Sequence, residues 1–305
     1  MKASVVLNLS AGLIAASEAL DTVSRVREAF QRANLDAEIL AIGQQGFAEA
    51  ARKAAASNAD VVVLGGGDGT LSTGAAELVG GRKPIGILPL GTLNHFAKDA
   101  GIPLDLDQAV GTIAKGHIRE VDVGEVNGRL FLNNSSIGLY PQAVAQREEL
   151  RRRNGGGKWL AMFNACVDVF GRFPLLHVTL QVENQARALT TPFIFVGNNR
   201  YDMNLFSLGT RADLQAGELS VYLTRNTGRM GLLRLAFRAL VGRLEQDRDF
   251  HSFALPGVEI RTRRGSLRVS LDGELVQMAS PIRYSIRPRA LRVLVPPPDA
   301  NPAEP

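Results

Sequence analysis

The chain has 305 residues, 45% of them hydrophobic and 21% charged, with a formal net charge of +5. That length holds one large or two ordinary domains, and the composition excludes a disordered or fibrous chain. Cys166 is the only cysteine, which excludes a disulfide framework or a cysteine-rich zinc site within the chain and suits a reducing compartment.

The opening MKASVVLNLSAG lacks the long apolar run and cleavage site of a signal peptide, and its VVLNL reads as a first strand. From there to about residue 120, strand-like and helix-like segments alternate. SVVLNL is followed by a helical stretch at residues 18–34, the strand AEILAI and an alanine-rich helix at 48–57. DVVVLGGG is the next strand, residues 70–79 a helix, and KPIGILPL a further strand. Short apolar strands separated by helices predict a parallel sheet covered on both faces. Ligands of such sheets sit at the carboxyl ends of the strands.

From Val121 the pattern changes to short β segments separated by turn residues: VDVGEVNGRLFLNNSSIG, LHVTLQVENQ, TPFIFVGNN, GELSVYLTR, GVEIRTRR, LRVSLDGELV and IRYSIRP. They predict a mostly antiparallel β-sandwich, interrupted by helical stretches at 142–152, 159–170 and 228–243. The expected domains are an α/β domain at 1–120 and a β-rich domain at 121–295, whose last strand can return to the first. The tail 296–305, PPDANPAEP preceded by one more proline, reads as disordered. No run of about 18 apolar residues is present, so nothing is expected to span a membrane. Basic residues are scattered and aromatics make up 6% of the chain, which argues against a nucleic-acid partner.

GGGDGT, between the strand VVVL and a helix, puts backbone N–H groups and a helix N-terminus where an anion can be held. It is not a Walker A loop, since no Gly-Lys-Ser/Thr follows, and Ser72 stands where G-x-G-x-x-G needs its third glycine. The structural alternative is a tight turn with Asp68 as a helix cap. ILPLGTLNHFAKD, residues 87–99, repeats the arrangement of strand, Gly-Thr and helix. Two phosphate-friendly turns on neighbouring strands would converge on one ligand.

Together these motifs resemble the diacylglycerol kinase catalytic-domain family of lipid kinases, which includes bacterial diacylglycerol kinases, sphingosine and ceramide kinases and YegS-like proteins. Its GGDGT loop matches residues 66–70 and its P-x-G-T-x-N-x-F-A segment matches residues 89–97. The opening N-P-x-A-G is similar to Asn8-Leu9-Ser10-Ala11-Gly12, with leucine in place of proline. D-x-G, F-x-N and I-G match Asp122-Val123-Gly124, Phe131-Leu132-Asn133 and Ile137-Gly138, and a late D-G-E matches Asp272-Gly273-Glu274. Five motifs in family order make the resemblance specific, whereas GGDGT alone is shared with NAD kinases and phosphofructokinases.

The resemblance implies a two-domain kinase with ATP in the interdomain cleft, transferring the γ-phosphoryl group to the hydroxyl of a diacylglycerol, ceramide or sphingoid lipid. It implies that Gly66, Gly67, Asp68, Gly69, Thr70, Gly91, Thr92 and Asn94 bind the nucleotide, with Asn8 nearby. Asp68 and Asp122 are its candidates for Mg²⁺, and Glu274 its candidate proton acceptor, with Asp272 beside it. Taken by itself, a D-G-E between the strands LRVSL and LVQM is a hairpin turn, and its carboxylates gain a catalytic meaning only if the turn folds over the first domain. The alternatives are an NAD kinase-like enzyme acting on a soluble nucleotide, and a catalytically weak nucleotide- or lipid-binding protein.

Four positions depart from the family pattern. His95 replaces the aspartate of P-x-G-T-x-N-D-F-A; a neutral histidine can bind a metal but adds no negative charge, and it can equally touch nucleotide or solvent at a helix start. Ala216-Gly217-Glu218-Leu219-Ser220 lacks the aspartate that holds a structural Mg²⁺ in bacterial members, with Asp213 or Glu218 as the nearby carboxylates. Ser72-Thr73-Gly74 replaces the usual asparagine and glutamate, and Ile42 replaces a nucleotide-contacting threonine. Two basic stretches, REELRRRNGGGKWL at 147–160 and the amphipathic GRMGLLRLAFRALVGR at 228–243, suit an anionic membrane surface or, alternatively, an ordinary solvated helix face. The expected partner is thus a lipid substrate at a membrane surface, for a cytoplasmic, peripherally associated protein, with a homodimer left open.

Overall fold

The computed structural model describes residues 1–9, 19–138, 175–182, 185–201, 211, 213–224 and 250–297. The chain divides into two compact units. One comprises Met1–Val123, Asp213–Ala216 and Arg287–Pro305; the other comprises Gly124–Ala212 and Gly217–Ile286.

The first unit contains β1 (Lys2–Asn8), α1 (Ala19–Arg32), β2 (Asp36–Ile42), α2 (Phe47–Ala56), β3 (Val61–Gly66), α3 (Asp68–Ala76), β4 (Ile85–Pro89), α4 (His95–Asp99) and α5 (Leu106–Lys115). Its strands pair in parallel in the order β2-β1-β3-β4. Every residue of β3 and β4 is buried, as expected for apolar strands covered on both faces. Helices supply the cover in two contacting pairs, α1 with α5 and α2 with α3. Helix α1 buries Val26, Ala29 and Phe30 on one stripe and ends before Asn34, whose φ of +55 leaves the helix. Helix α5 lies outside the sequence expectation, although its ends carry ordinary signals. Asp105 accepts the Gln108 N–H at 3.0 Å, and Gly116 takes φ +69.

Two strands, β5 (Ile118–Val126) and β16 (Ile282–Leu294), contribute to both units. In the first unit Val293 pairs in parallel with Ile85 of β4. The second unit adds β6 (Arg129–Phe131), β7 (Asn134–Gly138), β8 (Leu176–Val182), β9 (Gln185–Thr191), β10 (Phe193–Asn198), β11 (Leu219–Thr224), β12 (Phe250–Leu255), β13 (Gly257–Thr262), β14 (Ser266–Leu271) and β15 (Glu274–Ala279). One antiparallel sheet runs β12-β11-β10-β7-β14-β15. A second pairs β9, β8, β13 and the first residues of β16, also antiparallel. Ile137, Val196, Val221 and Val269 from the first sheet share one core with Val178, Leu180, Ile260 and Ile282 from the other, so the unit is a β-sandwich. Strand β9 escapes sequence reading because its first four residues, QARA, are all exposed and alternate only alanine with polar side chains, with no β-branched or aromatic residue among them.

Among the described residues no helix is long and apolar enough to cross a membrane. The stretches 147–160 and 228–243, Ser10, Ala11 and Gly12 of the opening motif, and residues 298–305 lie outside the described residues.

Candidate active site

The two glycine turns of the first unit meet backbone to backbone. A Cβ on Gly91 would lie 2.4 Å from the Cα of Gly67 and 2.8 Å from Asn94 Oδ1. One on Gly66 would lie 2.6 Å from Thr70 Cγ2. These separations are shorter than any real Cβ contact, so glycine is required for the packing of the turns themselves. Helix α3 begins immediately after Gly67, and no side chain caps it. The first amides of a helix have no intrahelical acceptor, and with the positive end of the helix dipole they form an anion site.

Asp68 accepts the N–H of His95 at 3.1 Å on one oxygen and that of Phe96 at 3.0 Å on the other. It therefore ties the first turn to α4. Asn94 is buried with φ +50, and its amide is used within its own turn. Oδ1 accepts the Gly91 N–H at 3.0 Å, while Nδ2 donates to the carbonyls of Gly91 and Pro89 at 2.9 and 3.2 Å. Asn8, at the end of β1, donates from Nδ2 to Thr70 Oγ1 at 2.8 Å and to Gln44. Both Asn8 and Thr70 are buried, whereas Thr92 is exposed and Gly69 half-buried. Residues 8, 66–70 and 89–96 thus form one constellation at the carboxyl ends of β1, β3 and β4.

Asp122 stands elsewhere in this unit. It is fully buried on β5, and Oδ1 accepts the N–H of Arg289 at 2.8 Å. The neighbouring Ala290 carbonyl accepts the N–H of Gly80, in the turn that precedes β4. Asp122 is therefore near the start of β4, and Asp68 is at the turn beyond its end. Among the described residues no group of three or more His, Cys, Asp or Glu is placed to hold a metal ion. Mg²⁺ in phosphoryl-transfer sites relies on one or two carboxylates plus phosphates and water, and Asp68 is of that donor type.

Several residues at or near the departures from the family pattern have local contacts. Gly74 lets α3 lie close to its neighbours, since a Cβ there would come within 2.9 Å of Leu64 Cδ1 and of Phe47 Cε1. Thr73 bonds back to the Gly69 carbonyl at 2.9 Å. Ile42 ends β2 opposite Asn8, and its Cδ1 packs on Gly46, which has φ +88. Asp213 accepts the Gln215 N–H and pairs with Arg119 at 3.5 Å.

In the second unit Asp272 and Gly273 form the two-residue turn of the β14–β15 hairpin, with φ +45 and +88, the left-handed pair such a turn requires. The Asp272 carboxylate reaches across to the link between β6 and β7. Oδ2 accepts the Leu132 N–H at 2.7 Å, and Oδ1 accepts those of Asn133 and Asn134 at 2.8 and 2.9 Å. Asp272 thereby ties the hairpin to residues 132–134. Desolvation raises the Glu274 carboxyl above the usual carboxylate range, repulsion from Asp272 adds to this, and Arg129 opposes it.

Sequence reading missed Arg211, which is buried and holds the other side of the same link. Nη1 donates to the Leu132 carbonyl at 2.7 Å and Nη2 to Asn133 Oδ1 at 2.8 Å. No local signal marks a lone arginine in a loop as a core residue. The glycine of Asp122-Val123-Gly124 and the phenylalanine of Phe131-Leu132-Asn133 explain one another. Gly124 pairs with Phe131 across β5 and β6, and a Cβ there would lie 2.2 Å from the ring.

Residues 2–126 match the model of the diacylglycerol kinase catalytic domain, and residues 137–295 that of the YegS C-terminal NAD kinase beta sandwich-like domain. A protein named "Probable lipid kinase YegS-like" from Pseudomonas aeruginosa PAO1 is 34% identical over 255 residues, 80% of this chain and 79% of that one. One of the same name from Pseudomonas fluorescens Pf-5 is 32% identical over 275 residues, 88% of this chain and 89% of its own length. The fold is also that of a crystal structure described as a diacylglycerol kinase from Bacillus anthracis, with TM-score 0.68, 22% identity and 97% of both chains covered. On these matches the chain belongs to the diacylglycerol kinase catalytic-domain family, among its YegS-like lipid kinases.

Proposed function

We propose that the chain is an ATP-dependent kinase of a lipid hydroxyl, and that a diacylglycerol, ceramide or sphingoid lipid is its acceptor. The observation that carries this reading is the uncapped start of α3 set against a second glycine turn, a built anion site at the ends of parallel strands. In this reading the amides of residues 67–70 and the turn at 91–92 hold the nucleotide phosphates. Asp68 would hold Mg²⁺, which neutralises phosphate charge and orients the transferring group. The lipid oxygen forms a bond to the γ-phosphorus, the bond from that phosphorus to the bridging oxygen of ADP breaks, and the hydroxyl proton passes to Glu274. A carboxyl raised by desolvation is a better proton acceptor than an ordinary one, which supports that role. Asp272 keeps the hairpin in place by tying it to residues 132–134.

The test is radiolabelled ATP offered with vesicles carrying diacylglycerols, ceramides or sphingoid bases, alongside NAD as a soluble acceptor. Label is expected in one lipid class and is expected to fall about 10²–10⁴-fold in Glu274→Gln, the usual cost of losing a general base. Labelled NAD with unlabelled lipid would overturn the lipid assignment, and bound ATP with no labelled product would overturn the kinase one.

A further inference from the structure

The first unit holds a cleft of about 640 Å³ that the proposed reaction does not use. His117, Arg119, Arg289 and Arg292 line it, with Glu120 and Gln215 as the other polar side chains. Ala290 accepts the N–H of Gly80 at 2.8 Å, and Arg292 donates from Nη1 to the carbonyl of Arg82. Both contacts fall on the turn entering β4, whereas the glycine turn at residues 89–91 leaves the other end of that strand. The cleft and the nucleotide turns are therefore separate places on one sheet.

Two features suggest that the cleft is built for a ligand. Arg289 has φ +50, a conformation that side chains other than glycine and asparagine rarely adopt, and the buried Asp122 carboxylate holds it there through the Arg289 N–H. Such local strain persists only where the surroundings enforce it, and it clusters at ligand sites. The second feature is unbalanced charge. Arg119 has Asp213 at 3.5 Å, but among the described residues neither Arg289 nor Arg292 has a carboxylate partner, and Arg292 Nε is buried without a hydrogen bond. Three guanidinium groups thus line the same concavity as one carboxylate, Glu120. A concave site of one sign concentrates its field, and guanidinium forks match the oxygens of a phosphate group. The volume suits a small molecule or a lipid headgroup.

We propose that this cleft is a second anion site, which binds a phosphate-bearing ligand through Arg289 and Arg292. The ligand is either a free phosphorylated compound or the phosphate of an anionic lipid headgroup. The full chain would be titrated with inorganic pyrophosphate by calorimetry. In a second arm it would be sedimented with phosphatidylcholine vesicles with and without phosphatidic acid. Both arms compare the wild type with Arg289→Asn/Arg292→Gln, asparagine being chosen because it tolerates the positive φ.

Pyrophosphate binding, phosphatidic acid-dependent sedimentation, or both are expected to weaken about 10- to 100-fold, the usual size for lost charged hydrogen bonds, with ATP affinity unchanged. Loss in the first arm identifies a free phosphate compound, and loss only in the second identifies a headgroup. Removing the opposing charge of Glu120, the carboxylate in the lining, with Glu120→Gln is expected to tighten binding at least about twofold. Unchanged binding of both probes in the arginine variant overturns the proposal, and so does a parallel loss of ATP affinity. If the arginine variant does not fold, Glu120→Gln decides, and an affinity that fails to rise overturns it.

Discussion

Asp68 accepts the N–H groups of His95 and Phe96, so its removal acts on α4 before it acts on any nucleotide. Asp68→Ala is expected to lower stability by about 0.5–2 kcal/mol, the usual cost of a lost helix cap, and to lower kinase activity as well. Asp68→Asn keeps one acceptor oxygen, so thermal unfolding should recover most of that loss while activity stays low. Full activity in Asp68→Asn would reduce this residue to a cap. At Glu274 the sign of the pH effect follows from the raised carboxyl. The proton acceptor must be ionised, so the acidic limb of kcat/KM should lie above the ordinary range for glutamate. Arg129 is the opposing influence, so Arg129→Gln should move that limb to higher pH and Asp272→Asn to lower pH. A pH–rate profile whose acidic limb stays in place in both variants would remove Glu274 from the proton transfer.

At the scale of elements, the glycines of both turns and of α3 act through packing. Gly91→Ala sets a methyl group 2.4 Å from Gly67 Cα, and Gly74→Ala sets one 2.9 Å from Leu64 and Phe47. Backbone cannot give way as a flexible side chain can, so Gly91→Ala should be the more damaging. We expect a loss of about 1–3 kcal/mol for Gly74→Ala in denaturant unfolding, and at least as much for Gly91→Ala. The reverse order would mean that the two turns can separate. These contacts also explain why motif spacing was readable as chemistry. GGDGT and PLGTLNHF each had a phosphate reading on its own, while their backbone contact and the bond from Asp68 to α4 depend on β3 and β4 being neighbours in the sheet.

Over the whole molecule, the chain passes between the two units at residues 123–124, 212–213, 216–217 and 286–287. The first unit is consequently incomplete without residues from the far end of the sequence, whose Val293 pairs with β4. Asp122 likewise takes the N–H of Arg289. A fragment of residues 1–123 would expose the β4 edge and leave the buried Asp122 carboxylate without that partner. It should lack dispersed amide resonances and the near-ultraviolet signal of a fixed core. A fragment that folds with a cooperative transition would show that the returning strand is dispensable.

The amino-acid sequence by itself determined the alternation of buried parallel strands and helices, the later β pattern, and the family, because each rests on local periodicity or on motifs a few residues long. It also presented Asp68, Glu274 and their neighbours as a set. Only the tertiary structure decided what each of them touches. Asp68 caps α4, Asn94 spends its amide on its own turn, Asp272 anchors a link about 140 residues away in sequence, and Asp122 accepts the N–H of Arg289. The physical reason is that a carboxylate is positioned by whichever backbone N–H groups the sheet brings to it, and those pairings join segments that no local pattern connects.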